Sequence, residues 1–202
     1  MKTDSWLFFQ ESINTEMCDY IINQSKNYPI QDATIGFNTG NKIDTAFRKS
    51  ELRWVNPEAE PKIKDIIWYY ANRANRDSFD LDLRYLNEIQ FTKFVGGAKT
   101  AAKYDWHDVV DWEETRAFHR KLSLVIQLTD PEEYEGGDFE FDTRLAQLPS
   151  EAKLKGSVLV FPSFHTHRVT PVTKGVRHSL VTWAVSYTHL RAHETSLHLV
   201  CR

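Results

Sequence analysis

A chain of 202 residues with 41% hydrophobic and 26% charged residues is sized and composed for one domain with a full core. A formal net charge of -3 gives no electrostatic footprint for nucleic acid, and no apolar run is long enough to cross a membrane as a helix. The apolar stretch Trp6-Leu7-Phe8-Phe9 is too short for a signal peptide, and Cys18 and Cys201 make no disulfide framework, so a reducing cytoplasm is the expected location.

Thr15 is expected to cap a first helix, whose apolar positions Cys18, Ile21 and Ile22 fall on one face and which ends near Asn27, before Tyr28-Pro29. Residues 30–49 carry Gly36, Asn38, Gly40 and Asn41 and read as a long irregular loop of the kind that forms lids or binding segments. Residues 48–55 suit a short strand. A second helix begins between Pro57 and Pro61, with a core-facing stripe of Ile63, Ile66, Ile67, Tyr70, Ala71 and Ala74.

From Tyr85 the pattern changes to short strands separated by turns. Strands are predicted at 86–95, closed by Gly96-Gly97, at 104–110 and at 121–128. After turns at Asp130-Pro131 and Gly136-Gly137 come 138–141 and 156–161. Two further strands flank Thr170-Pro171-Val172-Thr173-Lys174-Gly175 and are predicted to pair as a hairpin. Helices followed by many strands predict an α+β chain. It is read as one domain over 1–185, helical to about residue 80, with a sandwich or small barrel over about 85–185. Residues 186–202, opening Ser186-Tyr187-Thr188-His189, leave the pattern and read as a non-native, vector-like tail, so its histidines His189, His193 and His198 are set aside.

The last two strands carry the chemistry. His167 lies on the first and Arg177 ten residues later on the second. A neutral imidazole is a metal ligand, and a guanidinium is a rigid two-pronged clamp for a carboxylate. Ser179 shares the strand face of Arg177. His107, in Tyr104-Asp105-Trp106-His107, is a second candidate ligand upstream. His165 shares the parity of His167, so alternation does not separate the two. His119 and His178 read as rim or core residues, Asp138 as structural, and Trp106 and Trp183 as large apolar bodies that pack the barrel.

Four segments resemble the iron(II)- and 2-oxoglutarate-dependent dioxygenases, in their prolyl 4-hydroxylase-like, PKHD-type branch. They are Tyr-Asp-Trp-His at 104–107, Arg-Lys-Leu-Ser-Leu-Val-Ile-Gln-Leu at 120–128, Tyr-Glu-Gly-Gly-Asp-Phe at 134–139 and Phe-Pro-Ser-Phe-His-Thr-His-Arg-Val-Thr-Pro-Val at 161–172. The likeness spans about residues 50–185. It implies a double-stranded β-helix, or jelly roll, with helices packed outside. It implies iron(II), 2-oxoglutarate as co-substrate and dioxygen, and leaves room for ascorbate. His107 and His167 would be iron ligands, the wording His-Arg-Val-Thr-Pro-Val selecting His167 over His165. Arg177 would clamp the C5 carboxylate of 2-oxoglutarate, with Ser179 adding a second hydrogen bond. Gln127 would help from the facing strand, and Tyr104 would line the co-substrate pocket. The substrate class is a prolyl-like protein residue or a small molecule.

The sequence departs from the family pattern at one ligand. The pattern is His-x-Asp, and here it reads His107-Asp108-Val109. Valine cannot ligate a metal. Asp108 lies on the opposite face of an extended strand and reaches the metal only across a bulge. Asp111 has the right parity but lies about 13 Å along the strand at about 3.3 Å per residue. Three explanations stand: an error in the recorded codon, a degenerate relative that keeps a binding pocket without activity, or a site rearranged around Asp108 or around a bound halide. The function read from the sequence is therefore an oxygenase, with a catalytically impaired jelly-roll binding module as the alternative.

Overall fold

The computed structural model describes residues 5–31, 50–97, 106, 118–142 and 144–187. The strands are β1 (Leu7–Phe9), β2 (Ser50–Val55), β3 (Tyr85–Val95), β4 (Phe118–Gln127), β5 (Tyr134–Gly136), β6 (Phe139–Phe141), β7 (Val158–Pro162), β8 (His167–Val169) and β9 (Val172–Tyr187); the helices are α1 (Thr15–Ser25) and α2 (Pro61–Ala74). The main sheet runs β1-β7-β4-β9-β3-β2, with β5 also paired to β9, and all described pairings are antiparallel. A second, two-stranded sheet is formed by β6 and β8. Among the described residues no helix is long and apolar enough to cross a membrane.

Both helices form where the apolar periodicity places them, with one correction. Asn14, not Thr15, caps α1. Asn14 keeps an extended backbone, and its Oδ1 accepts the Met17 N–H at 2.9 Å, whereas Thr15 is already the first helical residue. The helix ends at Ser25, whose hydroxyl turns back to the Ile21 carbonyl at 2.8 Å. In α2 the first position is Pro61, where no N–H is needed. Its stripe is buried at Ile63, Ile67, Tyr70, Ala71 and Ala74 and half-buried at Ile66. These side chains pack with Cys18 and Ile21 of α1 onto Ile89, Leu122, Leu124, Ile126, Val158 and Leu180 of the main sheet. The Cys18 thiol is buried here, which pushes its pKa up to about 11.

The central strand is β9, which β3 and β4 flank along its length. Its side chains alternate between two environments. His178 faces the helical layer. It stacks on Phe91 and hydrogen-bonds through Nδ1 to Thr129 Oγ1 at 3.0 Å, and burial pushes its pKa down to about 4. Its neighbours Arg177 and Ser179 face the other way.

The predicted hairpin does not form. His167–Val169 pairs with Phe139–Phe141, and Val172–Tyr187 pairs with β3, β4 and β5. The chain changes sheets at Thr170-Pro171, where proline cannot donate to a ladder. The β5–β6 segment changes sheets at the same level, through Gly136 and Gly137, both with positive φ. The two corners are knitted together: Gly137 N donates to Pro171 O at 3.1 Å, Thr170 N to Asp138 O at 2.8 Å, and Asp138 N to Thr170 Oγ1 at 2.7 Å. Asp138 also pairs with Lys153 at 2.8 Å, which holds its pKa below the usual carboxylate range despite burial and supports its structural role.

The sheet also runs past the predicted boundary at residue 185. Ser186 is buried, pairs with His119 across the ladder, and its hydroxyl bonds Asp82 at 3.2 Å. Residues 188–202 lie outside the described residues, as do most of the predicted loop 30–49 and of the predicted strand 104–110.

Candidate active site

Arg177 is the largest fully buried side chain of the described protein. The face it shares with Ser179 is fixed by alternation along β9, and its neighbours come from three other strands. Phe94 of β3 is directly opposite in register, and its ring lies 5.4 Å from the guanidinium. Gln127 of β4 is opposite Ser179, and its Oε1 accepts from Arg177 Nη2 at 2.9 Å. Arg177 Nη1 reaches Ser179 Oγ at 3.4 Å. Phe94, Tyr134 and Val172 form a small apolar cluster around the arginine stem. Both of these hydrogen-bond acceptors are neutral groups that orient the fork.

Gly137 sets the roof over this arginine. A Cβ built there would lie 2.8 Å from Arg177 Cδ, 3.0 Å from Val172 Cγ2 and 3.3 Å from the Tyr134 ring, with φ at +65°. Gly97 provides a control, because its φ is +91° but no atom lies within 4 Å of an added Cβ. Gly137→Ala is expected to lower the melting temperature and weaken 2-oxoglutarate binding, whereas Gly97→Ala carries only backbone strain of about 1–3 kcal/mol. Equal affinities for the two variants in calorimetry would remove the role assigned to Gly137.

His167 begins β8 and is buried. Its ring lies between Phe139, stacked at 5.2 Å, and Phe161, edge-on at 4.9 Å. Its Nδ1 sits 2.7 Å from the His165 carbonyl. A carbonyl only accepts, so Nδ1 carries the proton and the lone pair lies on Nε2, the form that binds a metal ion. His165 plays a different part: it supplies that carbonyl from the preceding turn, and burial lowers its own imidazole pKa.

His167 and Arg177 lie on different sheets, which meet at the Gly136-Gly137 corner. Gly137 lies against Arg177, and Phe139, two residues on, lies against His167. Trp106 approaches from the other side of β8. It is 42% exposed, which corrects its predicted place inside the barrel, and the Arg168 guanidinium lies over its ring at 4.4 Å. Trp183 does pack as predicted, buried beneath Arg120 at 3.9 Å and beside Trp54.

Three of the predicted site residues, Gln127, Arg177 and Ser179, thus form one cluster, and His167 lies on the other sheet. Tyr104, His107, Asp108 and Val109 lie outside the described residues. Among the described residues no group of three His, Cys, Asp or Glu side chains is placed to hold a metal. The residues that are described fit the expected groups: an imidazole fixed in its metal-binding tautomer, and an oriented guanidinium in an apolar cradle. Reasoning from the sequence missed Gly137 and Phe139 as site-shaping residues. The Gly136-Gly137 pair marked a turn but gave no hint of what lay beneath it.

Residues 89–185 match the family model of the 2OG-Fe(II) oxygenase superfamily. A PKHD-type hydroxylase of Aliarcobacter butzleri (strain RM4018) is 37% identical over 100 residues, which are 48% of this chain and 42% of that protein. The chain thus spans less than half the length of the curated relative it matches. A Pseudomonas putida prolyl-4-hydroxylase superposes with a TM-score of 0.67 at 18% identity, covering 92% of this chain and 95% of the other. The viral collagen prolyl hydroxylase of Paramecium Bursaria Chlorella virus-1 gives 0.65 at 18% identity, covering 92% and 97%. These likenesses show the double-stranded β-helix fold. Over residues 89–185, just under half of the chain, and in the order of its motifs, the chain is similar to the 2OG-Fe(II) oxygenase superfamily and to its PKHD-type hydroxylases.

Proposed function

We propose that the protein hydroxylates a C–H bond of a prolyl-like protein residue or of a small molecule, coupled to oxidative decarboxylation of 2-oxoglutarate to succinate and carbon dioxide. The observation that carries this reading is the buried Arg177, oriented by Gln127 and Ser179. Arg177 would take the C5 carboxylate of 2-oxoglutarate in a charge-assisted, two-pronged pair. Ser179 would turn its hydroxyl toward the same carboxylate, and Gln127 would keep the fork in plane. Phe94, Tyr134 and Val172 keep water from this pair, which strengthens it in the low-dielectric interior.

His167 and His107 would hold iron(II), whose chemistry when bound is the activation of dioxygen. On the protein side, the His165 carbonyl keeps the His167 lone pair on Nε2, and Phe139 and Phe161 hold the ring. Tyr104 would line the co-substrate pocket. Val109, where the family pattern places the carboxylate ligand, supports a second reading: a binding module that retains the 2-oxoglutarate pocket without turnover.

The test is a pair of measurements on the purified protein with saturating iron(II). Succinate formation from 2-oxoglutarate supports the oxygenase. Calorimetric binding of 2-oxoglutarate without succinate supports the binding module. Neither binding nor turnover would overturn both readings.

A further inference from the structure

The residues that follow and precede the predicted ligands in sequence form a second cluster, on the opposite face of the small sheet. In the β6–β8 ladder Phe141 is opposite His167 and Glu140 is opposite Arg168. Strand alternation then divides the sheet. His167 shares its face with Phe139 and Phe141, and Arg168 shares the other with Glu140. On that outer face the Arg168 Nε donates to Glu140 Oε2 at 2.6 Å, and its guanidinium carbon lies 4.4 Å from the Trp106 ring centroid. The three side chains are each only partly exposed, at 42% for Trp106, 39% for Arg168 and 34% for Glu140, so the stack is screened but not fully solvated. A guanidinium held at one edge by a carboxylate and at its face by an indole has little rotational freedom left.

We infer that Arg168 and Trp106 are positioning residues, which fix position 106 against the outer face of β8 and so set the spacing of the two chain segments that carry the predicted ligands. The inference rests on the oxygenase reading for its consequence, but the stack itself stands on described contacts alone. Neither residue touches the reacting groups. Arg168 acts through β8, one peptide bond from His167, and Trp106 is one peptide bond from His107. A cation over an aromatic face suits this task because it holds together two residues far apart in sequence.

Two measurements separate the stack from its consequence. The first needs no metal. Protein labelled with 5-fluorotryptophan gives one fluorine resonance per tryptophan, and the line lost in Trp106→Phe belongs to residue 106. In Arg168→Ala that line is expected to move toward the position of free 5-fluorotryptophan, while the Trp183 line stays in place. An unmoved line would overturn the stack as a positioning contact. The second is a manganese(II) titration followed by electron paramagnetic resonance, run in the Val109→Asp background so that the carboxylate of the family pattern is present. Arg168→Ala and Trp106→Ala should weaken manganese(II) binding about tenfold, at the lower end of what loss of an outer partner costs a metal site. Trp106→Phe, which keeps a ring under the cation, should restore most of it, and Arg144→Ala, an exposed arginine paired to Asp142, should leave it unchanged. Equal affinity in all variants would overturn the positioning role even with the stack intact. If the Val109→Asp protein takes up no manganese(II) while the fluorine line still moves, the oxygenase reading fails and the stack is reduced to a fold contact.

Discussion

Arg177→Ala is expected to weaken 2-oxoglutarate binding by about tenfold to a hundredfold or more. Hydrogen bonds to a charged group contribute about 1.5–3 kcal/mol, and a bidentate pair lies at the upper end. Each 1.4 kcal/mol is about a factor of ten in affinity. The loss should exceed that for Ser179→Ala, because Ser179 offers one neutral hydroxyl, at 3.4 Å from the arginine. Arg177→Lys should recover little. A lysine ammonium is a point charge without the planar fork that Gln127 now orients. The measurement is calorimetry with saturating manganese(II), with the far-UV dichroism of each variant as the check on folding. Removing a guanidinium from a fully buried position also leaves a cavity and unpairs Gln127, so the alanine variant will be less stable. Arg177→Lys fills the space and keeps a charge, and it therefore decides the matter if the alanine variant unfolds. Unchanged affinity in a folded lysine variant would place the carboxylate elsewhere.

Much of this fold is legible in the sequence, because apolar periodicity and turn residues act locally. The stripe from Ile63 to Ala74 has to be a helix on a core, and Lys121 to Leu128 has to be a buried strand, whatever their partners. Partner choice is not local. The two segments around Thr170-Pro171 resemble a hairpin in spacing and turn chemistry, yet the Gly136-Gly137 corner captures the Thr170-Pro171 backbone from a remote part of the chain. That competition is decided by hydrogen bonds between residues more than thirty positions apart, and no window of sequence displays it. The cap of α1 was missed by one residue for the opposite reason: Asn14 and Thr15 are both good caps, and only the extended backbone of Asn14 separates them.

The site divides in the same way. Arg177 and Ser179 were readable as one face because a strand alternates, and Gln127 because a motif supplied its strand. The aromatic walls of His167 were not readable. Phe139 and Phe161 are ordinary core residues in any one-dimensional view, and they acquire a role only because β6, β7 and β8 converge on one imidazole. Nor was the link between His165 and His167 readable: the carbonyl of the first lies 2.7 Å from Nδ1 of the second.

Val109→Asp is expected to raise metal binding and turnover together. The family pattern sets a carboxylate two residues after the first histidine, where strand alternation returns it to the same face. Here that position is valine. Two imidazoles without the carboxylate lack both a bond and the negative charge that offsets the charge of the ion. Loss of an outer partner alone typically costs a metal site about 10–100-fold, and loss of a direct ligand should cost at least that. The protein as written is therefore expected to bind manganese(II) or iron(II) poorly and to form succinate slowly or not at all. Val109→Asp should tighten manganese(II) binding by at least that factor in a paramagnetic resonance titration, and should raise 2-oxoglutarate-dependent succinate formation with it. Asp108→Ala discriminates the rearranged site. It should leave the unsubstituted protein unchanged if Asp108 faces away from the metal, and should abolish binding if Asp108 has taken over as the ligand. A protein that already binds tightly, gains nothing from Val109→Asp and loses binding in Asp108→Ala would show that the strand bulges between residues 107 and 109, and that the third ligand comes from the residue that plain alternation turns away.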